Sequence, residues 1–280
     1  MIIEIIKFFV YSILIVLISK YILVKALRNL AENLKLKPRF IGNIAGVATS
    51  IPELLTVTVS SFRGLVGTSL YNIISSNVIN FIQYIISLII NKNYIKIKNK
   101  GIIIQNILVV LTIIFPIILL SLENSFNIIL VITLVILYFV FSFISKKSHE
   151  KYLKDQEDEG NKSEEDINKK TNNRKTYIYV LYILVSGILL YFVGNELGNV
   201  LENLSAIFDI AEFVLGILLG AITSIPELIT FFEAQRHYTK DKYNNDKSLL
   251  GVVEATNNLL TSNMLNLFII QSIGILIYII

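Results

Sequence analysis

The sequence predicts an all-α polytopic membrane protein of about eight transmembrane helices, built as two inverted repeats. Three observations predict it. First, 54% of the 280 residues are hydrophobic and only 16% are charged, with a mean hydropathy of +0.66; soluble domains carry about a quarter of their residues as Asp, Glu, Lys and Arg. Second, the Ile, Leu, Val, Phe and Tyr that fill this deficit fall in runs of about 20, the length that crosses a hydrocarbon core roughly 30 Å thick. Third, residues 46–54, GVATSIPEL, return at 220–228 as GAITSIPEL.

The runs lie at 2–25, 40–62, 65–90, 101–121, 126–144, 176–195, 212–234 and 249–280. The first opens MIIEIIKFF, with no basic leader and no small-residue cleavage site after it, so it reads as a retained span and not a signal peptide. It ends where five Lys and Arg residues occupy 25–39. The second and third are joined at Arg63–Gly64, and the third stops before four basic residues in 91–100. Glu123 separates the fourth from the fifth, which stops before nine basic residues in 145–175. After the sixth come Glu196, Glu202, Asp209 and Glu212, with no basic residue between 188 and 234. The seventh stops before four basic residues in 235–247, and the eighth follows. Alternate connections thus hold 22 of the 25 Lys and Arg residues. The positive-inside rule places these four connections in the cytoplasm and both termini outside, in a plasma membrane.

The connection 145–175 has almost no apolar residues and reads as a charged, solvated linker between two halves, 1–144 with spans one to five and 176–280 with spans six to eight. Asp155, Glu157, Glu159, Gly160 and Asp166 fall loosely on a calcium-loop spacing, but the small ligands at its third and fifth positions are missing, so the charged-linker reading stands. Cysteine is absent, which excludes disulfide frameworks, thiolate nucleophiles and Cys-based metal sites. His149 and His237 both fall in polar connections, which excludes a His-rich metal site as well. Neither a nucleotide-binding loop nor a nucleophile–His pair is present, and nothing suggests nucleic acid as a partner.

The duplication extends past the first motif. Residues 72–80, NIISSNVIN, correspond to 258–266, NLLTSNMLN, now offset by 186 instead of 174, the difference being taken up by the polar insertion around 238–248. Five spans separate the two copies, so they run in opposite directions through the membrane, the recurring design of secondary transporters. On a helix, Thr49 and Ser50 share one face with Glu53, as Thr223 and Ser224 do with Glu227. Pro52 and Pro226 break the backbone hydrogen bonding of those turns and free carbonyl oxygens toward the same region. Asn72, Ser76 and Asn80 form a second polar stripe, and Asn258, Ser262 and Asn266 form its twin. A carboxylate at the centre of a span costs roughly 2.5–3.5 kcal/mol to insert, so Glu53 and Glu227, each inside a repeated motif, are the strongest functional candidates. Oxygen ligands with carboxylates suit hard cations such as Ca²⁺, Na⁺ or Mg²⁺. Glu254, at the cytoplasmic start of the last span, reads as structural or interfacial.

The paired motifs TSIPEL…NIISSNVIN and TSIPEL…NLLTSNMLN resemble the two alpha-repeats of the sodium/calcium exchanger family, within the calcium:cation antiporter superfamily. The resemblance implies two five-helix inverted repeats around a cation site between the second, third, seventh and eighth spans, of which this chain would have five and three, lacking the family's usual last two helices. It places acidic ligands at Glu53 and Glu227, hydroxyl and carbonyl ligands at Thr49, Ser50, Thr223 and Ser224, and further ligands at Ser76 and Ser262. It also implies that spans one and six slide past the core to alternate access. The sequence departs from the family pattern where glycines are usual before the Thr, here Ala48 and Ile222, and before the second motif's Ser, here Ser75 and Thr261. Asn80 and Asn266 follow those serines by four residues, where sodium-coupled relatives often carry an aspartate in the second position. The expected activity is Ca²⁺ export in exchange for Na⁺ or H⁺ without a cofactor. Exchange of another hard cation is the alternative, with a passive channel behind it. The expected partners are inorganic cations and the lipid bilayer.

Overall fold

The computed structural model describes residues 2–34, 36–121, 126–154, 173–207, 209–239 and 247–280. Among these residues there is no strand, and eight helices are long and apolar enough to cross a membrane. They are α1 (Ile2–Ala31), α2 (Pro38–Phe62), α3 (Val66–Ile90), α4 (Lys100–Ser121), α5 (Ile128–Tyr152), α6 (Arg174–Ile207), α7 (Glu212–His237) and α8 (Leu249–Ile279). Each lies on one of the eight predicted runs. Helices are the expected answer to this composition, because a spanning segment must satisfy every backbone N–H and C=O within itself. The surface facing outward is a shell of Ile, Leu, Val, Phe and Tyr side chains, including Ile107 and Ile118 of α4, Ile132 and Phe139 of α5, and Leu184 and Phe192 of α6.

Helices α1, α5 and α6 run further than the sequence suggested, the last two for packing reasons. In α6 the spacing of Leu190, Leu197, Leu201 and Leu204 continues one apolar face beyond 195, and that face buries against Phe8, Ile15 and Leu23 of α1. Glu196 and Glu202, expected in a connection, therefore ride on a helix; Glu202 pairs with Arg63 at 2.6 Å, and Arg63 also donates to Asn199. In α5 the helix continues through Tyr152, and Tyr152 and Leu153 pack against Gly101 at the start of α4. His149, expected in a polar connection, is consequently buried along with Ser145 and Ser148. The expectations for Glu123, for positions 155–172 of the charged linker with its loose calcium-loop spacing, and for the 240–246 part of the polar insertion fall outside the described residues.

The helices α2 and α7 are each interrupted. Their helical halves are Pro38–Thr49 and Ile51–Phe62 in α2, and Glu212–Thr223 and Ile225–Thr239 in α7, the last running two residues past the apolar span. The breaks fall at Ser50 (φ −81°, ψ −2°) and Ser224 (φ −78°, ψ −2°), two residues before the prolines. Pro52 and Pro226 thus sit in the first turn of a new helix, where no backbone donor is required. Glu53 and Glu227 sit in the same first turns, where the helix dipole favours a carboxylate.

These broken helices pack crosswise on the unbroken ones. The first half of α2 lies against α8, and the first half of α7 lies against α3. Glycines set the distance. A Cβ on Gly46 would sit 2.6 Å from the Asn258 carbonyl oxygen, and one on Gly220 would sit 2.7 Å from that of Asn72. Gly42 and Gly216 repeat the contact one turn earlier, against Glu254 and Thr68. These pairs are small-xxx-small motifs, which bring backbones together where lipid supplies no hydrophobic drive between helices. The close approach therefore comes from Gly42, Gly46, Gly216 and Gly220, although Ala48, Ile222, Ser75 and Thr261 replace the glycines the resemblance would lead one to expect. Behind this four-helix centre, α4 and α5 pack on α3 and α8 through Tyr84, Leu134, Phe141, Leu260 and Phe268, while α1 and α6 pair on the other side.

Candidate functional site

The breaks in α2 and α7 bring the two copies of the first motif against the two copies of the second. Ser76 on α3 donates its hydroxyl to Glu53 Oε1 at 2.8 Å and lies 3.3 Å from Ser224 Oγ. Ser262 on α8 donates to Glu227 Oε1 at 3.2 Å and lies 3.0 Å from Ser50 Oγ. Each α3 or α8 serine thus bridges a carboxylate on one broken helix and a serine on the other, and the arrangement recurs with the two copies exchanged. Thr49 and Thr223 end the first halves of α2 and α7 beside Ser50 and Ser224. All eight of these residues are buried. The two carboxylates lie close enough for their charges to interact, and among the described residues neither forms an ion pair with Lys or Arg.

The asparagine stripes divide by role. Asn72 Nδ2 donates to Thr56 Oγ1 at 2.6 Å, and Asn258 Nδ2 donates to Thr230 Oγ1 at 2.6 Å. Thr56 and Thr230 turn their own hydroxyls back to the Glu53 and Glu227 carbonyls, at 3.1 and 2.9 Å. Asn80 Nδ2 donates to Asn263 Oδ1 at 3.3 Å, and Asn266 Nδ2 donates to Asn77 Oδ1 at 3.1 Å. In all four amides the donor end is occupied by protein, and the acceptor end has no protein partner. Together with Glu53 Oε2 and Glu227 Oε2, which likewise lack a partner, they make six buried acceptor oxygens on α2, α3, α7 and α8.

An unmatched buried acceptor costs about 1–3 kcal/mol, more when charged, so six such oxygens favour a bound cation, a proton or water at these positions. Carboxylate and amide oxygens in this number suit a hard cation, which takes 6–8 oxygen ligands as Ca²⁺ or fewer, with water, as Mg²⁺. Three of the hydroxyls also bond back to their own helices: Ser50 to the Gly46 carbonyl at 2.9 Å, Thr49 to the same oxygen at 3.4 Å, and Ser224 to the Gly220 carbonyl at 2.7 Å. That pattern directs their protons away and leaves lone pairs available.

Two further residues belong to this cluster and stand outside the stripes read from the sequence. Asn77 and Asn263 hold α3 and α8 together and receive the donors of Asn266 and Asn80. Their signal was present, because both are asparagines at corresponding positions of the second motif. Thr56 and Thr230, which fix Asn72 and Asn258, also correspond at the 174-residue offset. Glu254 takes no part in the cluster: it is buried and its Oε1 pairs with Arg28 of α1 at 3.4 Å, a structural contact of the kind expected.

A family model described as sodium/calcium exchanger protein matches residues 5–147 and 178–280. No curated protein is a significant match. Among solved structures, the sodium-calcium exchanger NCX_Mj soaked with 10 mM Na⁺ and zero Ca²⁺ is similar at 20% identity, covering 99% of this chain and 84% of that one, with a TM-score of 0.52. The same exchanger soaked with 10 mM Na⁺ and 10 mM Sr²⁺ gives 19% identity, 99% and 83% coverage and a TM-score of 0.52. At these identities the likeness carries the fold, which is the eight-helix arrangement described above.

Proposed function

The chain belongs to the sodium/calcium exchanger family, and on that premise we propose that it is a secondary-active antiporter that exports Ca²⁺ in exchange for Na⁺ or H⁺. The observation that carries this reading is the set of six buried acceptor oxygens, two of them carboxylate, with donors occupied and no basic partner among the described residues. Glu53 and Glu227 supply the charge, Asn72, Asn80, Asn258 and Asn266 supply amide oxygens, and Thr49, Ser50, Ser76, Thr223, Ser224 and Ser262 supply hydroxyl oxygens. No cofactor takes part; the ions are the cargo.

Charge sets the coupling. With asparagine at 80 and 266, the cluster has two negative charges from Glu53 and Glu227. Leaving charge uncompensated inside a membrane is costly, so the alternately occupied states hold one Ca²⁺, two Na⁺ or two H⁺. Exchange between such states is electroneutral.

In this reading residues 1–144 and 176–280 are inverted repeats joined by a cytoplasmic linker at 145–175, and both termini face outward across the plasma membrane. The distribution of Lys and Arg supports that orientation. The paired helices α1 and α6, which meet each other through one apolar cluster, form the element that moves against the four-helix centre. Uptake of labelled Ca²⁺ into inside-out vesicles loaded with Na⁺ or acid tests the function. Accumulation that follows the imposed gradient and ends when it is collapsed supports exchange, and uptake indifferent to the gradient contradicts it.

A further inference from the structure

The two ends of the four-helix centre differ, and internal duplication makes the difference measurable position by position. From the site toward the α2–α3 turn, α2 presents Thr56, Ser60 and Ser61, and α3 presents Asn72 and Ser69, all buried. At the opposite end the corresponding residues are Thr230, Ala234 and Gln235 on α7, with Asn258 and Ala255 on α8. Ser60 and Ser69 at one end are thus Ala234 and Ala255 at the other.

The last turns of α8 extend the comparison. The π-helical stretch Leu265–Ile270 includes Asn266, and a π turn accommodates one extra residue, so the pairing of α8 with α3 shifts from 186 to 187 beyond it. Gln271 then corresponds to Tyr84 and Gly274 to Ser87. Contacts agree with that register. Gln235 Nε2 donates to Ser87 Oγ at 2.6 Å, and at the other end a Cβ on Gly274 would meet Ser61 Oγ, the counterpart of Gln235, at 2.9 Å.

Around Gln235 the polar groups are met. Asn93 Nδ2 donates to Gln235 Oε1 at 3.1 Å, Tyr84 and Thr256 share a hydroxyl bond of 2.7 Å, and Gly251 packs on the Ala234 carbonyl. Around Gln271 the polar groups are unmet. Gln271 is fully buried, yet its Oε1 and Nε2 both lack a protein partner, as does Ser61 Oγ. A Cβ on Gly274, one turn after Gln271 on the same face, would lie 3.7 Å from Ser69 Oγ. Three small or unbranched polar residues and a glycine therefore replace the filled, hydrogen-bonded set at the other end.

We infer that cations pass between the site and the α2–α3 end along the seam between the second half of α2, α3 and the end of α8, and that Gln271 with Ser61 forms a neutral way-station there for a partly hydrated alkali or alkaline-earth cation. The chemistry fits both orphan atoms. Gln271 Oε1 is an amide oxygen ligand for a hard cation, and Nε2 donates to a water of the same hydration shell. Thr56, Ser60, Ser61, Ser69, Asn72 and Gln271 are all neutral, so binding among them is weak enough for the ion to move on to Glu53, as transit requires. This inference rests on the exchange reading for its cargo, but its test does not.

The chain has no cysteine, so single cysteines report access without a background. In membranes, Ser61→Cys and Ser69→Cys are exposed to a small cationic, membrane-impermeant thiol reagent on the α2–α3 face, and their counterparts Gln235→Cys and Ala255→Cys on the opposite face. Ser61→Cys is expected to react at least about tenfold faster than Gln235→Cys, since thiol reactivity follows access, and Na⁺ or Ca²⁺ should slow it. Gln271→Leu should raise the melting temperature, because it removes two unmet groups, while exchange turnover falls about tenfold, the scale on which one lost hydrogen-bonding partner changes a rate. Equal reaction at both ends, or Gln271→Leu with unchanged turnover, overturns the inference. Labelling reads access whatever ion is carried. An unlabelled seam in a working exchanger therefore removes only the way-station, and a labelled seam in a protein without gradient-driven uptake removes only the exchange reading.

Discussion

Asn77 and Asn263 exchange hydrogen bonds: Asn77 Nδ2 donates to the Asn263 carbonyl at 3.3 Å, and Asn263 Nδ2 donates to the Asn77 carbonyl at 3.2 Å. The pair clamps α3 to α8 and, through its two Oδ1 atoms, takes up the donors of Asn80 and Asn266. The carbonyl ends of those two amides are thereby fixed as acceptors. Rigid support of this kind is what a site of neutral oxygens needs, because no charge holds the amides in place.

Replacing either clamp residue should therefore be costly. Asn77→Ala or Asn263→Ala leaves a buried donor and carbonyls unmatched, a loss of about 1–3 kcal/mol that thermal unfolding in detergent will show. The double variant should lose close to the sum of the two, because each single change removes only its own side chain's bond to a backbone carbonyl and leaves the other in place. A loss well short of the sum would mean the two residues act as a unit.

Close helix approach gives a second contrast. Gly46→Ala and Gly220→Ala each force a methyl group into a backbone carbonyl, so each should cost about 1–3 kcal/mol by overpacking. Gly187 on α6 has nothing within 4 Å of its would-be Cβ, so Gly187→Ala should be neutral or gain up to about 1 kcal/mol in helix propensity. Comparison of melting temperatures checks all three.

The charge of the site predicts its electrical behaviour. In the parent protein, Ca²⁺ exchange should move no net charge, and currents recorded on a solid-supported membrane should stay at baseline during a Ca²⁺ jump. Asn266→Asp adds a third carboxylate among the same oxygens, so three monovalent charges would balance the site and the same jump should produce a current. A large current in the parent would contradict the charge argument.

Much of this was legible before the fold was known. Run lengths gave all eight helices because each must span one bilayer thickness, and the doubled motif singled out Glu53 and Glu227 because midspan carboxylates are scarce. What the sequence concealed has physical reasons. The end of α6 is decided by tertiary contact, as Leu197, Leu201 and Leu204 find α1 to pack on, and a hydropathy window closing at Glu196 does not register that partner. Gly42, Gly46, Gly216 and Gly220 form small-xxx-small pairs in the sequence, but which helix each pair meets is set only by the fold. Asn77 and Asn263 adjoin the i, i+4, i+8 stripe, and such a stripe drifts around the helix by about 40° per step, so their neighbours' face becomes their own. The π stretch at Leu265–Ile270 has no local sequence signature; it is visible only through the shifted register of Gln271 and Gly274.

The central claim is that Glu53 and Glu227 together hold the transported ion, and one measurement addresses it directly. Labelled Ca²⁺ uptake into Na⁺-loaded or acid-loaded inside-out vesicles is compared for the parent, Glu53→Gln and Glu227→Gln at matched protein amounts. Each substitution is nearly isosteric and keeps an oxygen for Ser76 or Ser262 to bond, so folding should persist while one of the two charges is lost. Loss of gradient-driven uptake in both variants is the predicted result. Uptake that survives both substitutions would contradict it.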